Sequence, residues 1–218
     1  MKSLVKQFLS EADRQKIQET VRQAELKTSG EIIPMVVSFS YTYPMGDVLG
    51  SAAFSLPLSI LVTTVAGNVF WLGSQNMWIF MGVFAVLFAG FHGLIKRIPS
   101  LKRLFVSRSE MAAEVEEAAV TAFYKEGLYR TREETGILIF ISVFERMVWV
   151  LADRGISAKV PQDAWNGIVD GIVAGIRRHR PCESICEAIQ EVGELLAEHF
   201  PVRRDDTDEL QNLIIREP

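Results

Sequence analysis

Between Asp47 and Lys96 the chain runs for 48 residues without an Asp, Glu, Lys or Arg. Two apolar parts, residues 48–72 and 77–95, flank the turn-forming residues 73–76. Each part has roughly the 20 residues that a helix needs to cross the hydrocarbon core of a bilayer. A soluble chain of 218 residues with 23% charged side chains does not ordinarily leave such a gap. The stretch also accounts for a mean hydropathy of +0.17. The expectation is a transmembrane helical hairpin. Phe70, Trp71 and Trp78 flank its turn, where an interfacial aromatic belt belongs. Pro57 and Gly67 lie within the first span, and membrane helices tolerate both.

Flanking charge sets the orientation. Lys96, Arg97, Lys102, Arg103 and Arg108 follow the second span, and residues 96–108 hold no acid. By the excess of cations on cytoplasmic loops, that end is cytoplasmic. A hairpin returns to its starting side, so both termini and the soluble part are expected in the cytoplasm of a bacterial inner (plasma) membrane. The five cations are expected to face anionic lipid headgroups. The first 40 residues carry charges throughout, unlike a signal peptide.

The remainder is too small on either side of the hairpin to bury itself. Upstream, Ser10 and Asp13 make a capping box for a helix whose stripe is Ile17, Val21 and Ala24. EIIPMVVSF (31–39) then reads as a strand, with Pro34 suggesting an edge or a bulge. Downstream come a helix over 109–127, the apolar strand GILIFISVF (136–144), and a second strand running into LADRGI. Phe144–Arg146 turns these two into a hairpin. Two more helices follow. The first has Gly167, Gly171 and Gly175 at spacings of four, expected where one helix packs closely on another. Together the pieces give one α/β domain, a small mixed sheet packed by helices, split over residues 1–46 and 107–200. The hairpin occupies 48–95, a basic juxtamembrane linker 96–106, and a flexible charged tail 201–218.

The order of these segments resembles the TPM domain family, named for a thylakoid lumen protein, a photosystem II repair protein and a receptor modulator. Thr28–Val37, Thr131–Gly155, Trp165, residues 197–201 and Asp208-Glu209-Leu210 carry the likeness, which is strongest to a bacterial membrane-embedded branch. The resemblance implies a sandwich of helices around a mixed sheet. Some members act as phosphatases, some bind divalent cations through acidic residues, and others are accessory factors of membrane complexes. Bacterial members often accompany LemA-type membrane proteins.

The residues themselves offer one candidate site. If the first and last strands run antiparallel, Glu31, Asp153 and Thr135 share one end of the sheet. Two carboxylates with nearby oxygen donors suit a hard cation such as Ca²⁺ or Mg²⁺, and Arg154 suits a phosphate oxygen. In the same arrangement the Glu145–Arg146 turn lies at the membrane-proximal end. The plainer reading is that Glu31 caps a strand and Asp153–Arg154 make a turn. His179, Cys182 and Cys186 have a spacing compatible with a soft metal, although buried thiols explain it as well. His92 stands alone near the end of the second span. No P-loop, GxSxG elbow or HExxH occurs. A net charge of −4 and a pI of about 5.5 argue against a nucleic-acid partner. The expected partners are the bilayer and a membrane protein. The leading expectation is a membrane-anchored accessory or scaffold protein. A divalent-cation-dependent phosphatase using Asp153, Glu31 and Arg154 is the alternative, and a lipid or envelope-stress sensor is a third.

Overall fold

The computed structural model describes residues 4–71, 76–131, 133–161, 163–202 and 211–216. Most of the expected turn at 73–76, and Asp208–Leu210, lie outside the described residues. The chain divides into two units, residues 42–111 and residues 2–41 with 112–218.

In the second unit, α1 (Leu4–Phe8) and α2 (Glu11–Glu25) precede β1 (Glu31–Val37). The Ser10 hydroxyl accepts from the Asp13 N–H at 3.2 Å, and the Asp13 carboxylate accepts from the Ser10 N–H at 2.9 Å. The capping box therefore forms, and the Ser10 hydroxyl holds the Asp13 carboxyl below its ordinary value. After α6 (Arg108–Lys125) come β2 (Gly136–Ser142), β3 (Met147–Ala152), α7 (Arg154–Ser157), α8 (Asp163–Arg177), α9 (Pro181–His199) and β4 (Ile214–Arg216). The sheet order is β3-β2-β1-β4. β1 is parallel to β2 and β4, and β3 is antiparallel to β2.

Alternation along the strands divides two cores. Ile32 and Val36 of β1, with Ile137, Ile139 and Ile141 of β2, face α2, α8 and α9. Ile33, Met35 and Val37, with Leu138 and Phe140, face Val115, Ala119 and Phe123 of α6. The first face also takes Val5 of α1 and Ile156 of α7, whereas α6 is the one long helix on the second among the described residues.

Pro34 proves not to mark an edge strand, because β1 has neighbours on both sides. Its missing N–H points to the β4 side, where pairing begins only at Met35. Two residues earlier, the Ile32 N–H is taken by the Glu25 carboxylate at 2.9 Å. The proline thus sits in the gap between a side-chain acceptor and the β4 ladder. The expected loose tail is corrected too. Leu213 and Ile214 are buried, and Ile214–Arg216 add a fourth strand. A short run of apolar residues after a charged stretch is enough to dock on an open parallel edge. Of the three spaced glycines, only Gly175 meets a close neighbour, where an added Cβ would lie 2.2 Å from Ser184 Cβ. Gly167 and Gly171 face open space.

The first unit is a helical hairpin, α3 (Pro44–Val69) and α4 (Met77–Arg97), followed by α5 (Pro99–Arg103). α3 and α4 are each long and apolar enough to cross a membrane. The buried residues of α3 are Gly46, Asp47, Gly50, Ser51, Ser55, Ser59, Thr63 and Gly67. Its exposed residues include Phe54, Leu56, Ile60, Leu61 and Val65. That is small and polar inside, large and apolar outside, the reverse of a helix in water. Small residues let the two backbones approach; a Cβ on Gly50 would come within 2.8 Å of Ile95 and Phe105. Trp71 and Trp78 stand almost fully exposed at the turn end.

Lys102 departs from its expected place at the lipid surface. It is half-buried within this unit, where its ammonium donates to Oδ2 of the buried Asp47 at 3.0 Å and to the Thr42 carbonyl. Lys96, Arg97 and Arg108 are exposed, and Arg103 is half-buried. Removing one partner of a buried pair leaves an uncompensated charge, at a cost of about 3–5 kcal/mol. Lys102→Met should therefore lower the melting temperature of the detergent-solubilised protein, and adding Asp47→Asn should restore much of it. A double variant no more stable than Lys102→Met would refute the pairing.

Candidate functional site

β1 and β2 start together, with Glu31 opposite Gly136. β3 ends beside them, and the Asp153 N–H donates to the Gly136 carbonyl at 2.9 Å. Glu31, Gly136 and Asp153 thus form one row across three strands, facing the α6 side of the sheet. Two strand spacings separate the outer members, about 10 Å between Cα atoms. Thr135 precedes Gly136 at the same end. Its carbonyl accepts from the Glu31 N–H at 3.1 Å, and its hydroxyl donates to the Ser29 carbonyl at 3.1 Å.

The residue between the two acids is a glycine for a reason. A Cβ on Gly136 would stand 2.6 Å from the Leu128 carbonyl oxygen. Leu128 belongs to a short 3₁₀ turn, Leu128–Arg130, that lies over the row. Gly155 has the same constraint, since its Cβ would meet the carbonyls of Glu133 and Glu134 at 2.5 and 2.7 Å. The backbone at Leu128 and at Glu133–Glu134 therefore packs closely onto this end of the sheet at two glycines.

Within that frame Glu31 is nearly buried, at 8% exposure. Asp153 caps α7, its Oδ1 accepting the Arg154 N–H at 2.7 Å. Asp153 Oδ2 is buried and has no hydrogen-bond partner among the described residues. Arg154 is exposed. All the oxygen donors of the row are hard, namely two carboxylates and the Leu128 carbonyl, so the set suits Ca²⁺ or Mg²⁺ better than a soft metal. Among the described residues no three His, Cys, Asp or Glu side chains gather as a metal cluster.

The Glu145–Arg146 turn lies at the opposite end of β2. Glu145 is fully buried, accepting the Ser40 N–H at 3.1 Å and the Ser142 hydroxyl. Its carboxylate ties the ends of β1 and β2 together and is no surface group. Arg146, with φ 55°, is the exposed member.

Cys182 and Cys186 both face α2. The Cys182 thiol approaches the Asp13 carbonyl at 3.8 Å, and the Thr20 hydroxyl approaches Cys186 Sγ at 3.4 Å. Burial pushes the Cys182 thiol up to about 12, so it stays protonated. His179 is exposed in the turn before α9, with φ 60°. His92 Nδ1 lies 3.4 Å from the Ser51 hydroxyl inside the hairpin.

A further site feature left no signal in the sequence. On the α6 side of the sheet an open groove of about 530 Å³ is lined by Met35, Val37, Phe39, Tyr41, Glu114 and Glu117, among others. Finding it requires knowing that α6 is the single cover of that face.

Residues 102–195 match the family model described as the TPM domain. Over this segment the chain is similar to the TPM domain. The match takes in Thr131–Gly155 and Trp165, whereas Thr28–Val37 and residues 197–201 lie outside it. The fold joins these pieces. The Thr28 hydroxyl donates to the Phe200 carbonyl at 2.7 Å, and the Ser29 N–H donates to the same oxygen at 3.0 Å. The NMR structure of BA42 protein from the psychrophilic bacteria Bizionia argentinensis sp. nov. has a similar fold. Its TM-score is 0.59 over 96% of each chain, at 18% identity. No curated protein matches the sequence.

The glycine clamp gives a paired prediction. Gly136→Ala should destabilise the α/β domain by about 1–3 kcal/mol through overpacking. Gly167→Ala, in the open interior of α8, should stabilise by about 0.5–1 kcal/mol through helix propensity. Thermal unfolding of the two variants beside the parent checks both signs. The Cys182 thiol should react with iodoacetamide at pH 8 far more slowly than a free thiol until the protein is denatured, as read by mass spectrometry.

Proposed function

We propose that this protein is a membrane-anchored accessory module whose cytoplasmic TPM domain binds a protein partner. The open groove on the singly covered face of the sheet carries this reading, since it offers apolar strand residues and a charged helix edge to an incoming chain. The inverted hairpin supports the anchor, because only lipid rewards large apolar side chains on the outside of both helices. The exposed Lys96, Arg97 and Arg108 support an orientation with both termini in the cytoplasm. A LemA-type membrane protein is the first partner to try.

One observation favours a second reading, a phosphatase dependent on a divalent cation. Glu31 and Asp153 occupy one row with the Leu128 carbonyl between them, and Asp153 Oδ2 is buried with a lone pair to spare. A cation held there would bind a phosphoryl oxygen, with the exposed Arg154 guanidinium as a candidate charged donor. Against this, the backbone of Leu128 lies closely over the row.

Hydrolysis of p-nitrophenyl phosphate by the full-length detergent-purified protein decides between the two. Under the accessory reading neither Ca²⁺ nor Mg²⁺ produces turnover above the detergent blank, and Asp153→Asn matches the parent. Metal-dependent turnover that vanishes in Asp153→Asn overturns it in favour of the phosphatase. Topology is tested in intact cells with a membrane-impermeant maleimide. Asn76→Cys should label from outside and Glu194→Cys only after permeabilisation; the opposite pattern would refute the orientation.

A further inference from the structure

The groove beside α6 has a more specific character than a generic apolar surface. Its floor and end are Met35 and Val37 of β1 with Phe39, Ser40 and Tyr41 of the segment that follows. β1 ends at Val37, and the chain bends at Ser38 and Ser40 on its way to Tyr41, so that two aromatic residues line the groove. The facing wall is one side of α6, where Glu114, Glu117, Ala118 and Thr121 follow one another at helical spacing. These residues flank the stripe of Val115, Ala119 and Ala122 that packs on the sheet.

The charges of the groove do not cancel. Arg216 reaches it from β4, but its guanidinium is already paired with the Glu126 carboxylate. Glu114 and Glu117 lie one turn apart on the same side of α6 and leave a net negative wall. Tyr41 is 43% exposed, so its ring is accessible from the groove. Carboxylates opposite aromatic faces favour a cation on electrostatic grounds, through Coulomb attraction and the ring quadrupole together. A volume of about 530 Å³ lies in the range of ligand clefts and admits several side chains.

We propose that this groove binds a basic, amphipathic peptide segment of a protein partner. The apolar side chains of that segment lie along Met35 and Val37. An arginine or lysine of the segment sits between the Glu114–Glu117 wall and the rings of Phe39 and Tyr41. This inference rests on the accessory reading above and names the chemistry of the partner.

The test uses the full-length protein in a neutral maltoside detergent. The probe is a fluorescein-labelled peptide of eight alternating leucines and arginines, followed by fluorescence polarisation. Glu114→Gln with Glu117→Gln should weaken binding about tenfold. Glu110→Gln with Glu116→Gln removes the same charge outside the groove and should change binding less than twofold. Tyr41→Ala should weaken it by a smaller factor, and added salt should weaken it in the parent. The same peptide with glutamate in place of arginine should not bind.

Equal effects of the two double variants would overturn the proposal, as would tight binding of the glutamate peptide. Displacement of the probe by millimolar choline would assign the groove to a quaternary ammonium headgroup and overturn the peptide assignment. A LemA-type partner that co-purifies equally with the parent and with Glu114→Gln/Glu117→Gln would remove the groove while leaving the accessory reading intact. Metal-dependent phosphatase turnover would remove the accessory reading itself.

Discussion

Seven parallel pairs between β1 and β2 hold together the two halves of the α/β domain. These strands lie about 100 residues apart in sequence, with the helical hairpin between them. Neither half can bury its apolar surface alone. The chain therefore gains nothing from β1 until β2 arrives, and the loop-closure entropy must be met first. A helical hairpin between the strands shortens the effective loop, because it brings its own ends together. The insertion is thus compatible with the sheet because it is a hairpin.

The register of those seven pairs also decides what lies at each end. At one end it lines up Glu31, Gly136 and Asp153 and lets the Leu128 backbone settle on Gly136. At the other it leaves Ser40 and Ser142 within reach of Glu145, whose buried carboxylate closes the β2–β3 turn. One carboxylate is used as a fastener, and the other two are held in a row. A slip by one residue would turn every side chain of β1 to the opposite face and dismantle both ends together.

Much of this was legible from local pattern. The uncharged stretch announced α3 and α4, Ser10 and Asp13 announced the start of α2, and the β-branched runs gave β1 and β2. Placing Glu31, Thr135 and Asp153 at one end needed only the assumption that the strands now labelled β1 and β3 are antiparallel. What escaped were features set by tertiary neighbours. The spacing of Asp47, Ser51, Ser55, Ser59 and Thr63 is visible in the sequence, but its meaning depends on which solvent surrounds the helix. Lys102 looked like one more cation in a basic run, and only the return of α5 onto α3 makes it Asp47's partner. β4 is three residues long and follows a charged segment, so no period distinguishes it. Gly136 and Gly155 are unremarkable until the carbonyls above them are placed.

The two units solve opposite problems with the same small set of residue types. In the hairpin, serine, threonine and glycine face inward and large apolar side chains face outward, and small inward residues let the two helices approach closely. In the α/β domain the large apolar side chains face inward, and glycine appears where a backbone must pass close to a strand or helix. The asymmetry of the sheet follows from supply. α2, α8 and α9 are available for one face, while α6, the helix that leads back from the hairpin, is alone on the other. A single helix cannot cover four strands, so Met147, Trp149 and Leu151 stay half-exposed and a groove opens beside Tyr41. The open face of the domain is in this sense a consequence of the two longest helices packing on each other in the hairpin.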